Sequence, residues 1–470
     1  MPRAIFARLS SLKKQLADRG VRAWRLGTER RTSMHATFDT LRFRVGAIGA
    51  TVIAAALLAA CGGGGEQGTD GATAQAQSVA QGLPAPVRLS INGAKIFGPD
   101  GQPIRLRGVN VQGVDDKALD DIVGKFHMNL IRLRISFTPE NRDETGTRAS
   151  GFKSTYEDAI RSWVDAARAR KVWMVLEMRA NDNVANSRDL YDTTKTGACD
   201  APTDAAHCPN YGYYLKAWQY LARTYQNTDY VAGYGLLAEP STDKTGDPDP
   251  VGLLVNFQKA LMAEITRIDD HTPFFIGPAF NYDTMEYRPA TYPRIGLYPN
   301  RIVYEVNFLM PKEWVQDGSW SVTCDTPPCA TPHYPYSDPK DGYLSLLDGK
   351  SDAVPWERTF NINRVSEANY KKTLSKGFIN WYLKWPLDFR AKYNVPFYVD
   401  QFGASSKAAG QIAYEKDLID FFEANDLHWS RWSYNAYNDD SDTSFLRTLL
   451  AKPSGNDTVI QFYTDLGKTW

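Results

Sequence analysis

From residue 87 to residue 470, short apolar runs alternate with longer amphipathic segments. The runs cover 104–110, 129–135, 172–178, 231–237, 273–277, 302–308, 396–402 and 427–432. Segments at 156–170, 213–225, 253–268, 370–393 and 413–425 repeat their apolar residues with the 3.6-residue period of a helix. Strands apolar on both faces, alternating with helices, predict a parallel sheet, and eight such units predict an α/β fold, a (β/α)₈ TIM barrel. A doubly wound open sheet is the alternative, but no Gly-rich phosphate loop follows the first run. A β-hairpin is expected ahead of the barrel, at 87–91 and 94–97, turning at Asn92-Gly93. No internal repeat and no second domain are visible, so 87–470 reads as one domain.

With 43% hydrophobic and 23% charged residues, the chain has enough apolar material for a large core, which excludes disorder, collagen and a multi-span membrane protein. The formal charge of +0 hides an asymmetry, since the first 60 residues hold 11 Lys/Arg against three acids and the remainder is net −8. A mildly acidic body argues against a nucleic-acid partner, because phosphate binding needs a positive footprint. The 12 Trp, 25 Tyr and 21 Phe exceed what a core requires, so some are expected to face a ligand.

Residues 45–60 carry no charge and follow Arg42 and Arg44, a length suited to a secretory apolar region and short for a membrane span. The tetrapeptide Leu58-Ala59-Ala60-Cys61 resembles the bacterial lipobox, which implies lipidation of Cys61 after removal of a signal peptide at 1–60; an uncleaved anchor helix is the alternative. A start at Met34 would give a leader of more ordinary length. Residues 61–86 are rich in Gly, Ala and Gln and read as a flexible tether. The expected location is therefore the bacterial cell envelope, with the domain lipid-anchored at a membrane (outer membrane or facing the periplasm) or secreted. That compartment favours disulfides, and Cys199 with Cys208 and Cys324 with Cys329 are the expected pairs. A zinc site using His207 lacks the two-residue Cys spacing, so no metal and no other cofactor is expected.

The loops after the third and sixth strands, 179–210 and 309–365, are long and hold both Cys pairs together with Trp314, Trp320 and Trp356. Loops at the carboxyl ends of barrel strands build active sites, and aromatic ones suit a sugar ring. Packing of those aromatics on their own loops is the competing explanation.

The strand-end residues carry a family resemblance. Arg107-Gly108-Val109-Asn110, Asn129-Leu130-Ile131-Arg132, Ala238-Glu239-Pro240, the segment from Val303 to Phe308, Asp400-Gln401-Phe402-Gly403 and the segment from Trp429 to Asn435 resemble glycoside hydrolase family 5, the cellulase-type barrels. The resemblance spans residue 87 to about 462 and implies a polysaccharide or oligosaccharide ligand and a monomer. Retaining hydrolysis needs two carboxyl groups about 5–5.5 Å apart. The resemblance assigns Glu239 as general acid/base, but Gln401, an amide, stands where the family has its nucleophilic Glu. The family's Asn before the acid is Ala238, its third-strand His is Arg179, and its sixth-strand His-x-Tyr is Asn307-Phe308-Leu309. Asn110, Arg132, Arg179, Asn307 and the Trp432 platform are the expected substrate-binding set.

Among other acids, alternation predicts that Asp400 points away from the barrel axis, while Glu177 and Glu305 project inward as buried ion-pair partners below the site. Asp182 is a candidate base in the loop after the third strand. Arg132, lacking a carboxylate at 401, is expected to pair with Glu239. These residues leave two functions open: a hydrolase of O-glycosidic bonds with an atypical second step, which the retained Glu239-Pro240 favours, and an inactive carbohydrate-binding pseudoenzyme of the envelope. A purely structural envelope protein would leave the aromatic loops unexplained.

Overall fold

The computed structural model describes residues 86–138, 140–143, 145–180, 209–240, 250–289, 291–310, 314–315, 333–335, 375–435, 446–451 and 457–470. The leader, Cys61 and the tether to residue 85, the cysteines Cys199, Cys208, Cys324 and Cys329, and Asp182, His207, Trp320 and Trp356 lie outside the described residues.

Two short antiparallel strands, β1 (Ser90–Asn92) and β2 (Lys95–Phe97), form the expected hairpin. Gly93 in its turn has φ +58°, the left-handed region that glycine enters without steric cost. Eight parallel strands follow: β3 (Arg107–Val111), β4 (Leu130–Ser136), β5 (Trp173–Arg179), β6 (Val231–Gly235), β7 (Phe274–Ile276), β8 (Ile302–Phe308), β9 (Phe397–Phe402) and β10 (His428–Arg431). Each pairs with the next, and β10 closes on β3, so the sheet is a closed barrel. The expected (β/α)₈ architecture is therefore the observed one.

The helices cover the outer face. In α2 (Ser154–Ala169) the buried residues Tyr156, Ile160, Val164 and Ala167 recur at helical spacing, which gives the helix one apolar stripe to lay on the strands. The same holds for α3 (Pro209–Tyr225), α4 (Pro250–Thr266), α6 (Lys376–Tyr393) and α7 (Gln411–Ala424), whereas α1 (Asp116–Leu119) and α5 (Ala279–Tyr282) are single turns. Two helices that the run pattern did not predict, α8 (Leu446–Ala451) and α9 (Asp457–Gly467), complete the outer layer with Leu446, Leu449 and Tyr463.

Inside the barrel the side chains stack in layers, as inward positions on neighbouring strands come level. The lowest layer is apolar: Leu106, Leu130, Val175, Phe275, Val303 and Tyr398 pack with Leu89, Ile91 and Ile96 of the hairpin, which plugs the amino end. Ile96 is 2% exposed, and burial of this kind contributes about 1.5–3 kcal/mol per large side chain. Two residues further along β4, β5, β8 and β9 the interior turns ionic, at Arg132, Glu177, Glu305 and Asp400, and that change of character begins the candidate site.

Candidate active site

Alternation along β4 sends Leu130, Arg132 and Arg134 inward at successive levels, and along β5 it does the same for Val175, Glu177 and Arg179. Arg132 is fully buried and meets three carboxylates: Glu177 at 2.6 Å, Glu305 at 2.7 Å and Asp400 at 2.6 Å. Gly235 makes the room, since a Cβ there would lie 3.2 Å from Arg132 Nη2 and 3.0 Å from Glu177 Cβ. Burial disfavours the Arg132 cation, but Asp400, Glu177 and Glu305 outweigh it and hold the charge beyond the usual guanidinium range. The acids divide. Burial acts to raise Glu177, yet Arg132 and Arg134 together bring it below the usual carboxylate range. Burial pushes Glu305 up despite Arg132, and burial with the like charges of Glu177 and Glu305 pushes Asp400 well up.

Asp400 faces the barrel axis, contrary to the expectation from alternation. The cause is a bulge: Val306 pairs with Val399 but the next residue, Asn307, pairs with Gln401, so β9 spends two residues where β8 spends one. Asp400 and Gln401 consequently both reach the interior. Asn110 pins the irregularity from β3, its Nδ2 donating to the Asp400 carbonyl at 2.7 Å and to Ser430 Oγ at 2.9 Å. The pairing of Arg132 with Glu239 is also corrected, because Arg132 is ringed by Glu177, Glu305 and Asp400 one layer below and Arg134 is the guanidinium beside Glu239, 3.7 Å from Oε2. Arg107, matched in the resemblance, lies at the opposite end of the barrel with a bidentate pair to Glu423.

The upper layer consists of Arg134, Arg179, Glu239, Asn307, Gln401 and Trp432. Glu239 stands just past β6, where Ala238 N still donates to Met178 O at 2.9 Å. Outward aromatics hold this strand end: Tyr214 and Trp218 donate to the Leu236 carbonyl at 2.6 and 3.1 Å, and Tyr282 donates to that of Leu237. Glu239 itself has φ +46°, unusual for a side chain of its kind. Its Oε1 accepts from Gln401 Nε2 at 2.9 Å and Asn307 Nδ2 at 3.1 Å. Gln401 Nε2 also lies 3.3 Å from Asp400 Oδ2.

Trp432 is half-buried, and the Arg134 guanidinium stacks 4.3 Å from its ring centroid. Behind it, Glu415 on α7 forms a buried pair with Arg431 at 3.0 Å, and Arg431 Nη1 donates to the Trp432 carbonyl at 3.0 Å. Trp314, expected in a ligand-facing loop, is fully buried and packs edge-on against Tyr414 at 5.0 Å, so for this ring the packing explanation holds. Among the described residues no group of His, Cys, Asp and Glu is arranged to hold a metal ion.

The structure thus gathers Glu239, Gln401, Asn307, Arg134 and Trp432 at one strand-end cleft, places Arg179 on the adjoining strand face, and sets Asn110 and Arg132 beneath them. Arg134 was missed by sequence reasoning, although its position two residues after Arg132 on one strand face was the available signal.

The family model for cellulases, glycosyl hydrolase family 5, matches residues 97–438, and the chain belongs to that family. No curated protein matches the sequence. Similar solved structures include endoglucanase Cel5A from the hyperthermophilic Thermotoga maritima, at 14% identity and TM-score 0.51 over 76% of this chain and 96% of that one. A glycoside hydrolase crystal structure matches at 14% identity and TM-score 0.51 over 77% of this chain and 99% of the other. The cellulose synthase subunit Z of Clostridioides difficile matches at 14% identity and TM-score 0.48, over 75% of this chain and all of that one. Identities this low speak for the fold alone.

Proposed function

We propose that the protein is a polysaccharide-binding member of the cellulase family in which double-displacement hydrolysis has been lost. The observation that carries this reading is the Gln401 amide donating to Glu239 Oε1 at 2.9 Å. Double displacement needs a second carboxyl group that attacks the anomeric carbon, and an amide at that position forms no glycosyl ester. Glu239 is no better placed as an acid. Oε1 already accepts from two amides and Oε2 faces Arg134, whereas a general acid must present a proton to the leaving oxygen. The Trp432 platform and the polar strand ends remain, and these are what binding a sugar chain requires.

The test is a panel of β-glucans, mannans, xylans and amino-sugar polymers, assayed for reducing ends and, by affinity electrophoresis, for retention. Retention without cleavage is expected, and Trp432→Ala should weaken it by about 1–3 kcal/mol through lost contact with the ring face. Cleavage that falls with Glu239→Gln would overturn the reading in favour of an active hydrolase. We place the domain on a lipid anchor in the bacterial envelope, supported by the lipobox-like Leu58-Ala59-Ala60-Cys61 and the tether behind it. Cys61→Ala should release it from the membrane fraction; unchanged fractionation would count against the anchor.

A further inference from the structure

Away from the cleft, the helical layer holds a further cavity of about 420 Å³, a volume within the range of small-ligand sites. Its walls are α1, α2, α8 and the segments that leave β3 and β10. Part of the lining is spent on shaping it. Asn435 accepts from Gln112 N at 2.9 Å and donates to the Gly113 carbonyl at 3.1 Å, and the Tyr434 hydroxyl donates to Asp121 at 2.8 Å. Gly113, at φ +94°, lets the backbone close on α2, since a Cβ there would lie 2.9 Å from the Trp163 ring. Lys117 at the rim pairs with Asp121 at 2.8 Å.

Other lining side chains keep capacity to give a ligand. Gln112 Oε1 is buried without a hydrogen-bond partner among the described residues, and a buried acceptor left empty is costly. Its amide turns about χ3 with little resistance and pairs with a hydroxyl in both directions, N–H donating and carbonyl accepting. The Arg447 guanidinium makes no hydrogen bond or ion pair among the described residues. Asp115 accepts from Ala118 N at 2.7 Å through Oδ1, and its charge has no ion-pair partner among the described residues. Both charges act on Tyr434, whose pKa burial raises first, with Asp121 and Asp115 adding to the rise and Arg447 opposing it. Trp163, half-buried on α2, supplies an aromatic surface.

We infer that this cavity is a second carbohydrate site, taking a neutral sugar unit against Trp163 with its hydroxyls shared among Gln112, Asp115 and Arg447. The charges decide the class of ligand. An anion is drawn to Arg447 but repelled by Asp115, and a cation meets the reverse. A vicinal diol satisfies both, one hydroxyl donating to the carboxylate and its neighbour accepting from the guanidinium. The ring's C–H faces add apolar contact with Trp163, removing area from water. Tyr434 stands two residues beyond Trp432, at most about 7 Å along an extended chain, so one polymer can reach from the cleft to the cavity. This inference rests on the binding reading above for the ligand class and adds a place outside the cleft where the polymer is held.

The test titrates cellotetraose, mannotetraose, xylotetraose and tetra-N-acetylchitotetraose into the full-length protein in detergent, followed by calorimetry. At least one of these probes should bind at two equivalents, of which Trp432→Ala leaves one. The double variant Gln112→Ala, Arg447→Ala should leave the other, and so should Ala451→Trp, which fills the cavity from an exposed position on α8. Thermal unfolding confirms that each variant is folded. On the polymer itself, losing the cavity should weaken retention about tenfold or more, because the second contact is made within one chain. A single equivalent that Trp432→Ala removes and the cavity variants leave intact overturns the inference while polysaccharide binding stands. Two equivalents that both survive the cavity variants overturn it as well. A single equivalent lost with the cavity variants and kept by Trp432→Ala upholds the inference and removes the cleft from the binding reading. If no tetrasaccharide binds, the inference falls, and retention of the polymers alone decides the binding reading.

Discussion

Arg132 and Arg134 stand two residues apart on one face of β4, and their surroundings differ in kind. Arg132 is enclosed inside the barrel by Glu177, Glu305 and Asp400 at 2.6–2.7 Å. Arg134 shares Glu177 through one nitrogen and keeps two others unfilled beneath Trp432. The lower centre ties β4, β5, β8 and β9 together and exchanges nothing with solvent; the upper one has donors to give. What separates the two buried arginines here is the distance to their counter-charges: three Arg132 nitrogens lie within 2.7 Å of a carboxylate oxygen, whereas Arg134 Nη2 stands 3.7 Å from Glu239 Oε2.

The largest effect that would test this contrast comes from removing the lower cation. Arg132→Met leaves Glu305 and Asp400 without their guanidinium and Glu177 with Arg134 alone, and breaking a buried network in this way costs about 3–5 kcal/mol. Urea unfolding at neutral pH should show that loss, and it should shrink as pH falls into the carboxylate range and the stranded acids take up protons. Arg134→Met should cost clearly less, because it removes one hydrogen bond to Glu177 and relieves two unfilled donors. Equal losses for the two variants would erase the distinction between the layers.

A smaller effect concerns Asp400, whose proton affinity burial raises. A group whose folded pKa is raised stabilises the protein fully below its unfolded pKa and loses that contribution as pH rises through the folded value. Asp400 is raised, so the wild type should lose stability as pH climbs from the ordinary carboxylate range, by at most about 1.4 kcal/mol per pH unit for one proton. Glu177, which is lowered, acts oppositely: its contribution is present above the ordinary carboxylate range and fades as pH falls below it. Asp400→Asn should therefore flatten the high-pH side of the stability profile while leaving the acid side in place. Denaturation midpoints from pH 4 to 8 that run parallel in the two proteins would contradict this.

The two layers were not equally legible in the sequence. The eight apolar runs fall within three residues of the eight strands, because strands buried on both faces need uninterrupted apolar side chains, and the hairpin turn was written in Asn92-Gly93. Inward projection of Glu177 and Glu305 followed from alternation. Asp400 did not, because a bulge is set by pairing between β8 and β9 rather than by residues local to 400, and one extra residue reverses the facing of the side chain. Arg134 was overlooked for a related reason: the resemblance pointed to Arg132, and only the structure shows which arginine exhausts its partners below the site. Helices α8 and α9 follow the eighth strand, where the alternation of apolar runs and amphipathic segments that marks the barrel is already complete.

The smallest expected effect is also the sharpest test of the upper layer. Gln401→Glu restores the residue type that retaining hydrolysis requires, but sets it at hydrogen-bond distance from Glu239, nearer than the carboxyl separation of about 5–5.5 Å that double displacement uses. Asn307 and Arg179 would remain where the family has His side chains, and Ala238 offers no side chain to hold the sugar. Only a trace of reducing-end release from a β-glucan is therefore expected, and Glu239→Gln in the same protein should abolish it. Vigorous turnover by Gln401→Glu would mean that a single amide is all that withholds catalysis. The unfilled arginine donors would then belong to a hydrolase site in waiting, and the contrast between a sealed lower layer and a ligand-directed upper one would have to be redrawn around Glu239.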